Sequence, residues 1–145
     1  MIRKIKKEEL NDLLGLYAHM HDKDDPLPGK GKISEVWREV VNDPKINYFV
    51  LERDNRIVSC CHLVIVPNLS RGARPYGLIE NVVTHKGYRK RGFGKSILEY
   101  ALKYAWSKNC YKVMLMTGRN TEETFRFYES AGFDRHGKQA FIVRR

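Results

Sequence analysis

A cationic, glycine-containing segment over residues 89–95, Arg-Lys-Arg-Gly-Phe-Gly-Lys, carries the clearest chemical signal of the sequence. An apolar strand pattern precedes it and an amphipathic helix pattern follows it, so we predict that it opens a helix. The first turn of a helix has unpaired N–H groups and a positive dipole end, and both favour an anion. We therefore predict a phosphate-binding site, whose residues are Arg89, Lys90, Arg91, Gly92, Phe93, Gly94, Lys95 and Ser96.

The spacing of these glycines excludes two common nucleotide-binding motifs. A P-loop requires Gly-x-x-x-x-Gly-Lys-Ser/Thr, and a dinucleotide fingerprint requires three glycines with an acidic residue about 20 positions later. Neither pattern is present. The alternative to a binding site is a basic, solvated helix start. Four cations near a helix N-terminus oppose its dipole unless an anion compensates, and this favours the binding site.

Glu80 is the most unusual polar residue, because it interrupts the apolar strand pattern Ile-Glu-Asn-Val-Val. A buried carboxylate is costly unless it is paired or has a function, and burial raises its pKa toward the range of a general base. Structural pairing with a lysine or arginine is the alternative. We interpret Glu80 as a candidate general base.

Tyr128 lies in the segment Phe-Tyr-Glu-Ser-Ala-Gly-Phe, near the end of the last predicted helix. A tyrosine in this position is often only an amphipathic residue with its hydroxyl at the rim, so a structural role stays open. The histidines, His62 among them, are scattered singly along the chain, which favours surface or structural roles. We predict none of them as a catalyst.

The elements that position these residues follow from hydrophobic periodicity. We predict strands over residues 2–5, 47–52, 57–66, 76–84 and 111–117, with a tight turn at Asp54-Asn55 and a basic turn over residues 67–75. Helices are predicted from Glu8, from a cap at Ser34, after the glycine segment, and from a cap at Thr121 to Gly132. Residues 111–117 are apolar on both faces, which is typical of a central strand.

A final hairpin is predicted to turn at His136-Gly137. The resulting order, β-α-α-β-β-β-α-β-α-β-β, indicates an α/β fold. At 145 residues, we expect one domain spanning 1–145.

The net charge of +10 favours polyanionic ligands: coenzyme phosphates, an acidic substrate or nucleic acid. Nucleic acid is disfavoured, because the aromatic residues fall mainly at core periodicity rather than between the cations. No apolar run approaches the roughly 20 residues that span a bilayer, and no apolar segment follows the N-terminal charges, so we expect a cytoplasmic protein without a membrane partner. The three cysteines lack a C-x-x-C spacing, and no structural zinc is expected.

Residues 89–94, as Arg-x-x-Gly-x-Gly, resemble the Arg/Gln-x-x-Gly-x-Gly/Ala pyrophosphate loop of the GCN5-related N-acetyltransferases, the GNAT family. The segment over residues 127–133 resembles that family's second signature. The resemblance implies the GNAT fold, a mixed, mostly antiparallel central sheet flanked by helices, with acetyl-CoA as cosubstrate and no metal. It also implies that backbone N–H groups of Val82, Val83 and Thr84, freed around a bulge, bind the pantetheine arm and the thioester carbonyl.

The same resemblance implies that Tyr128 protonates the departing thiolate. The family usually has an Asn seven positions before this tyrosine, close to the pantetheine arm. Here Thr121 holds that position, next to Asn120, which we include among the cofactor-binding residues.

A closer resemblance, to glucosamine-phosphate N-acetyltransferases, covers about the last half of the chain. It rests on Ile-Glu-x-Val-Val, Tyr-Arg, Cys-Tyr-Lys and Phe-Tyr-Glu, although those enzymes carry Asp where Asn81 stands here. It implies acetyl transfer from acetyl-CoA directly to a primary amine of a small molecule, an amino sugar or an amino acid derivative. Two alternatives stay open: a protein N-terminal or lysine acetyltransferase, and a non-catalytic CoA-binding or nucleic-acid-binding module. A homodimer is also left open.

Overall fold

A five-stranded sheet forms the centre of the computed structural model, which describes residues 1–145. Its strands are β1 (Ile2–Lys4), β2 (Ile46–Arg53), β3 (Arg56–Val66), β4 (Tyr76–Thr84) and β5 (Val113–Leu115), in that spatial order. The helices are α1 (Leu10–Tyr17), α2 (Lys30–Asn42), the short α3 (Ser70–Ala73), α4 (Phe93–Ser107) and α5 (Glu122–Ser130). β1 to β4 pair antiparallel and β5 pairs parallel with β4. The predicted mixed, mostly antiparallel sheet with flanking helices is confirmed.

Each face of the sheet is covered by a helix whose apolar residues were visible in the sequence. α4 places Ile97, Leu98 and Ala101 on one face, against Phe49 and Ile79. On the other face, α1 packs its buried leucines against the outward side chains of β2, β3 and β4, and this cluster consists of Leu13, Leu16, Val50, Cys60 and Val83. The sheet is therefore anchored on both faces, and its central strands cannot slide without exposing a core.

The segment of β4 that follows Ile79 has two features that create a groove. Cys60 pairs with Val83 and His62 pairs with Glu80, so β4 carries one residue more than β3 between these pairs. This is a β-bulge, and Asn81 within it has a φ of 51°. β4 pairs with β5 only over residues 77–79. From there to Thr84 it has β3 as its partner on one side and no strand on the other. The backbone of β4 is therefore open on the β5 side.

Two predicted elements, the second helix and the strand over residues 111–117, differ from the structure in their bounds. α2 begins at Lys30, four residues before the predicted cap Ser34, because the extended Gly29 already turns the chain into the helix. β5 covers only three residues and lies at the edge of the sheet, so the prediction of a central strand over residues 111–117 is wrong. The bulge in β4 carries that strand away from β5 and ends their pairing early.

The predicted final hairpin does not form. A turn is present, in which Gly137 N–H donates to Asp134 O, but no strand follows it. Arg135 binds Glu122 and Glu129 through its guanidinium, which holds the chain against the outer face of α5 instead of beside β5. The tail that follows leaves Phe141 and Val143 more than 90% exposed. Among the helices, none is both long and apolar enough to cross a bilayer.

Candidate active site

The residues of the predicted phosphate-binding site lie at the N-terminus of α4. Gly92, the residue before the helix, has a φ of 80°, a left-handed conformation that favours glycine. A Cβ at this position would have no atom within 4 Å, so the space in front of the helix end is open. Ser96 is the first residue of α4 whose N–H is hydrogen-bonded, and it donates to Gly92 O at 3.0 Å. The N–H groups before it remain available for an anion.

Gly94 has a different role from Gly92. A Cβ there would lie 3.0 Å from Cζ of Phe127 and 3.4 Å from Oγ1 of Thr84. The absence of a side chain therefore lets α4 approach α5 and the end of β4 closely. Gly92 leaves room for a ligand, whereas Gly94 brings the walls of the groove together.

The four predicted cations do not behave alike, and Arg89 is the exception. Its Nε donates to Thr84 O at 3.1 Å and its NH2 group donates to His19 O at 2.7 Å. The guanidinium thus joins the end of β4 to the chain just after α1. These two bonds hold the side chain within the protein, and its role in phosphate binding stays a prediction.

The other three cations lie at the surface with weak partners. Lys90 is 4.0 Å from Glu123, and Lys95 is 3.8 Å from Glu99. The Arg91 guanidinium lies 5.2 Å from the ring centre of Tyr88. Exposed ion pairs of this kind contribute about 0–1 kcal/mol, so these side chains can turn toward a phosphate at little cost.

The residues predicted to bind through their backbone lie along the open side of β4. Val82 packs toward α4, Val83 is buried toward α1, and the Thr84 hydroxyl is bonded to Ser59 Oγ at 2.9 Å. Side-chain packing on both faces and at the end of the strand holds this backbone in place. A rigid N–H beside a developing negative charge stabilises it without reorganisation.

Glu80 is exposed, so the prediction that it is buried is wrong. Side chains alternate along β4, and Ile79 takes the position that faces α4 and the core. Glu80 consequently faces the α1 side, at a point that the helices on that side leave uncovered. A solvent-exposed carboxylate can still accept a proton through a water molecule.

Tyr128 lies half-buried at the inner end of the groove. Burial raises the pKa of its phenol, the nearby Arg119 opposes that shift, and Glu80 adds to it. The hydroxyl is therefore protonated at neutral pH and can donate. Phe127 and Phe133 hold the ring, with centroid distances of 4.9 and 6.4 Å. Since Arg119 and Glu80 both affect the pKa of Tyr128, the three side chains lie near one another.

Asn120 lies in the exposed turn before α5, next to Thr121. The Thr121 hydroxyl accepts the N–H of Thr124 at 3.3 Å, so the residue seven positions before Tyr128 serves as the helix cap. No side-chain bond fixes Asn120.

Arg119 is a residue that sequence reasoning missed. Its NH2 group donates to Met20 O at 3.0 Å, one residue beyond the carbonyl that Arg89 binds. Together the two arginines fasten the segment after α1 to the end of β4 and to the segment before α5. No sequence signal could have identified Arg119, because its partner is a backbone carbonyl 99 residues away.

No group of three or more His, Cys, Asp or Glu side chains is arranged to hold a metal ion. The site is therefore built from backbone donors, cations, one carboxylate and one phenol. Such a set can bind a phosphorylated thioester, polarise its carbonyl and move protons.

Comparisons with known proteins agree with this geometry. A family model described as the Acetyltransferase (GNAT) family matches residues 10–133. Glucosamine 6-phosphate N-acetyltransferase of Trypanosoma brucei brucei is 33% identical to the chain over 140 residues, which are 95% of this chain and 91% of that protein. A solved structure from Agrobacterium tumefaciens str. C58, provisionally assigned as an acetyltransferase, is 38% identical, has a TM-score of 0.93, and aligns over 100% of this chain and 99% of its own.

A glucosamine-6-phosphate N-acetyltransferase structure from Arabidopsis thaliana shares the fold, with a TM-score of 0.84 at 21% identity over 99% of this chain and 97% of its own.

Proposed function

The chain belongs to the acetyltransferase (GNAT) family, and from this premise we propose that it acetylates the primary amine of a small molecule, with amino sugars and amino acid derivatives as the first candidates. As a family member it is an acetyl-CoA-dependent N-acetyltransferase. The proposal concerns the acceptor, which we take to be a small molecule and not a protein.

The observation that carries the proposal is the fixed position of the chain that follows α1. Arg89 and Arg119 hold the carbonyls of His19 and Met20, so the chain after α1 is fastened to the end of β4 and to the segment before α5. A protein acetyltransferase needs an open channel through which an extended peptide can pass. Because this segment, residues 19–20, is held in place, it favours a compact acceptor; we call it the roof.

We assign the steps of transfer as follows. The amine nitrogen attacks the thioester carbonyl carbon, and Glu80, through water, takes the proton that the nitrogen loses. Backbone N–H groups near Val82, Val83 and Thr84 stabilise the negative charge on the carbonyl oxygen. The carbon–sulfur bond then breaks, and Tyr128 protonates the thiolate that leaves.

The phosphates of the cosubstrate are assigned to the N-terminus of α4. Gly92 gives them access to the free N–H groups, and Lys90, Arg91 and Lys95 supply positive charge. Charge-assisted hydrogen bonds are about twice as strong as neutral ones, so this end of the groove should contribute most of the cosubstrate affinity.

Release of free thiol from acetyl-CoA, measured across a panel of amines, tests the proposal. The panel contains glucosamine 6-phosphate, glucosamine, free amino acids and a peptide with both an α-amine and a lysine. We expect a small amine to exceed the peptide by about tenfold or more in kcat/KM, which is a difference of about 1.4 kcal/mol. Preference for the peptide would show a protein acetyltransferase, and absence of turnover with every amine would contradict the proposal.

A matched pair of arginine variants tests the roof itself. Arg119→Gln loses the bond to Met20 O, so we expect the KM for the amine to rise several-fold. Arg126→Gln also removes a guanidinium from this part of the chain, but that group lies on the exposed face of α5, 3.4 Å from Glu122. Equal effects of the two changes would show that the roof does not contact the acceptor.

A further inference from the structure

Two buried polar atoms on the α1 face of the sheet have no hydrogen-bond partner within the protein. They are the hydroxyl oxygen of Tyr17 and Nε2 of His62. Buried polar groups are nearly always paired, and an unpaired one destabilises the fold. A pair of such atoms in one region therefore needs an explanation.

The surroundings of these atoms are polar but uncharged. Tyr48 stacks on His62 with a centroid distance of 4.4 Å and an interplanar angle of 10°, and the Cys60 thiol lies 3.8 Å from Asn81 O. Tyr48 and Asn81 are close enough to the Tyr17 hydroxyl to influence its titration, but their geometry does not form a hydrogen bond with it.

Both orphan groups are neutral at pH 7. Burial raises the pKa of the Tyr17 phenol, and Cys60 and Tyr48 raise it further. Burial lowers the pKa of the His62 imidazole. The two groups are thus a neutral phenol and a neutral imidazole, each of which can donate or accept a hydrogen bond.

These two groups lie close to the candidate base. His62 is the direct cross-strand partner of Glu80, and residues paired in this way have Cβ atoms about 4.5–5.5 Å apart. Asn81, next to Glu80, is the bulge residue with a φ of 51°. A molecule that reaches Glu80 with its amine can therefore place a neighbouring group against Tyr17 and His62.

We propose that Tyr17 and His62 are positioning residues that bind an uncharged polar group of the acceptor, a hydroxyl close to its reacting amine. The inference rests on the proposed transfer of acetyl to an amine at Glu80. A hydroxyl fits because it donates and accepts, which satisfies both orphan atoms at once. A phosphate or a carboxylate does not fit, because Glu80, the cross-strand neighbour of His62, would repel an anion.

A binding role and a structural role predict opposite effects on stability. If the Tyr17 hydroxyl is paired only by the acceptor, Tyr17→Phe removes an unsatisfied group, and the melting temperature of the free protein should be unchanged or higher. If the hydroxyl is paired within the protein, the same change must lower the melting temperature. His62→Phe keeps an aromatic ring against Tyr48 and provides the same comparison for the nitrogen.

The decisive experiment measures kcat and KM with two matched amines, trans-2-aminocyclohexanol and cyclohexylamine, for wild type, Tyr17→Phe and His62→Phe. We expect wild type to prefer the amino alcohol by about tenfold in kcat/KM, and each variant to lose most of that preference through KM. Comparing the ratio between proteins cancels the different basicities of the two amines. Tyr104→Phe, which removes a hydroxyl that accepts from Lys4 on the far side of α4, is the control and should keep the preference.

The possible results separate this inference from the proposed function. If wild type acetylates neither these amines nor any other in the panel, the proposed function fails and the inference fails with it. If wild type acetylates an amine but Tyr17→Phe keeps the hydroxyl preference, or melts several degrees lower, only the inference fails. Affinity for coenzyme A, measured by calorimetry, should be the same in all four proteins.

Discussion

The close approach of α4 to α5 can be tested at Gly94 with a single methyl group. A Cβ at this position would lie 3.0 and 3.1 Å from two ring carbons of Phe127, which is tighter than nearly all real contacts. The ring must move by a few tenths of an ångström, and overpacking of this kind costs about 1–3 kcal/mol. Alanine also gains about 0.5–1 kcal/mol over glycine inside a helix. For Gly94→Ala we therefore expect a net loss of up to about 2.5 kcal/mol in the free energy of unfolding.

Urea unfolding at equilibrium, followed by circular dichroism, measures this loss. Gly15→Ala is the matched control, because Gly15 lies inside α1 and a Cβ there has no atom within 4 Å. That variant should gain about 0.5–1 kcal/mol, so the two changes have opposite signs. Stabilisation by Gly94→Ala would refute the account of Gly94, since it would mean that α4 and α5 do not meet as described.

Three further changes test the assigned roles and one structural contact. Tyr128→Phe should lower turnover about 10²–10⁴-fold with coenzyme A affinity unchanged, and a loss below threefold would make Tyr128 structural. Because burial raises the pKa of this phenol, the wild-type rate should be maintained above pH 10, the ordinary pKa of a phenol being about 10. Glu80→Gln should lower kcat/KM about 10²–10⁴-fold, because the amide cannot accept the proton of the amine, whereas near-full activity would show that Glu80 is not the base. Glu9→Gln should lower the free energy of unfolding by about 1.5–3 kcal/mol at pH 7, because it breaks the pair with Arg3 at 2.6 and 2.8 Å. Arg3 holds the pKa of Glu9 below its ordinary range, so this stabilisation is present above about pH 4.3 and is lost as the pH falls through the lower folded value; an equal deficit at pH 2.5 and pH 7 would contradict the assignment.

Much of the fold could be predicted because its elements have strong local patterns. The stripe of α4, the Asp54-Asn55 turn and the strands β2 to β4 each depend on residues close together in the sequence, and the structure has all of them. The fate of the predicted final hairpin could not be derived from a local sequence pattern. Its residues have strand character, but Arg135 binds two glutamates of α5 and directs the chain elsewhere.

The position of a candidate site residue could be predicted where a local sequence motif contains it. It could not be predicted where contacts between distant parts of the chain determine it. Gly92 lies at the helix end as expected, whereas Arg89 has its side chain bonded to two backbone carbonyls, one of them 70 residues away. The exposure of Glu80 depends on which part of the sheet α1 and α2 leave uncovered, and no local pattern contains that information. His62 gave no signal for the same reason, since its neighbours Tyr17 and Tyr48 come from other elements.

The position of the cosubstrate at the N-terminus of α4 is the central claim, and calorimetric titration of coenzyme A into Gly92→Glu tests it most directly. Gly72→Glu is the matched control: Gly72 has a φ of 72° and open space around it, as Gly92 does with 80°, but it lies in the turn between β3 and β4. Both variants add the same bulk, charge and backbone strain. We predict that Gly92→Glu abolishes binding and that Gly72→Glu binds as wild type does. Unchanged affinity in Gly92→Glu would contradict the claim.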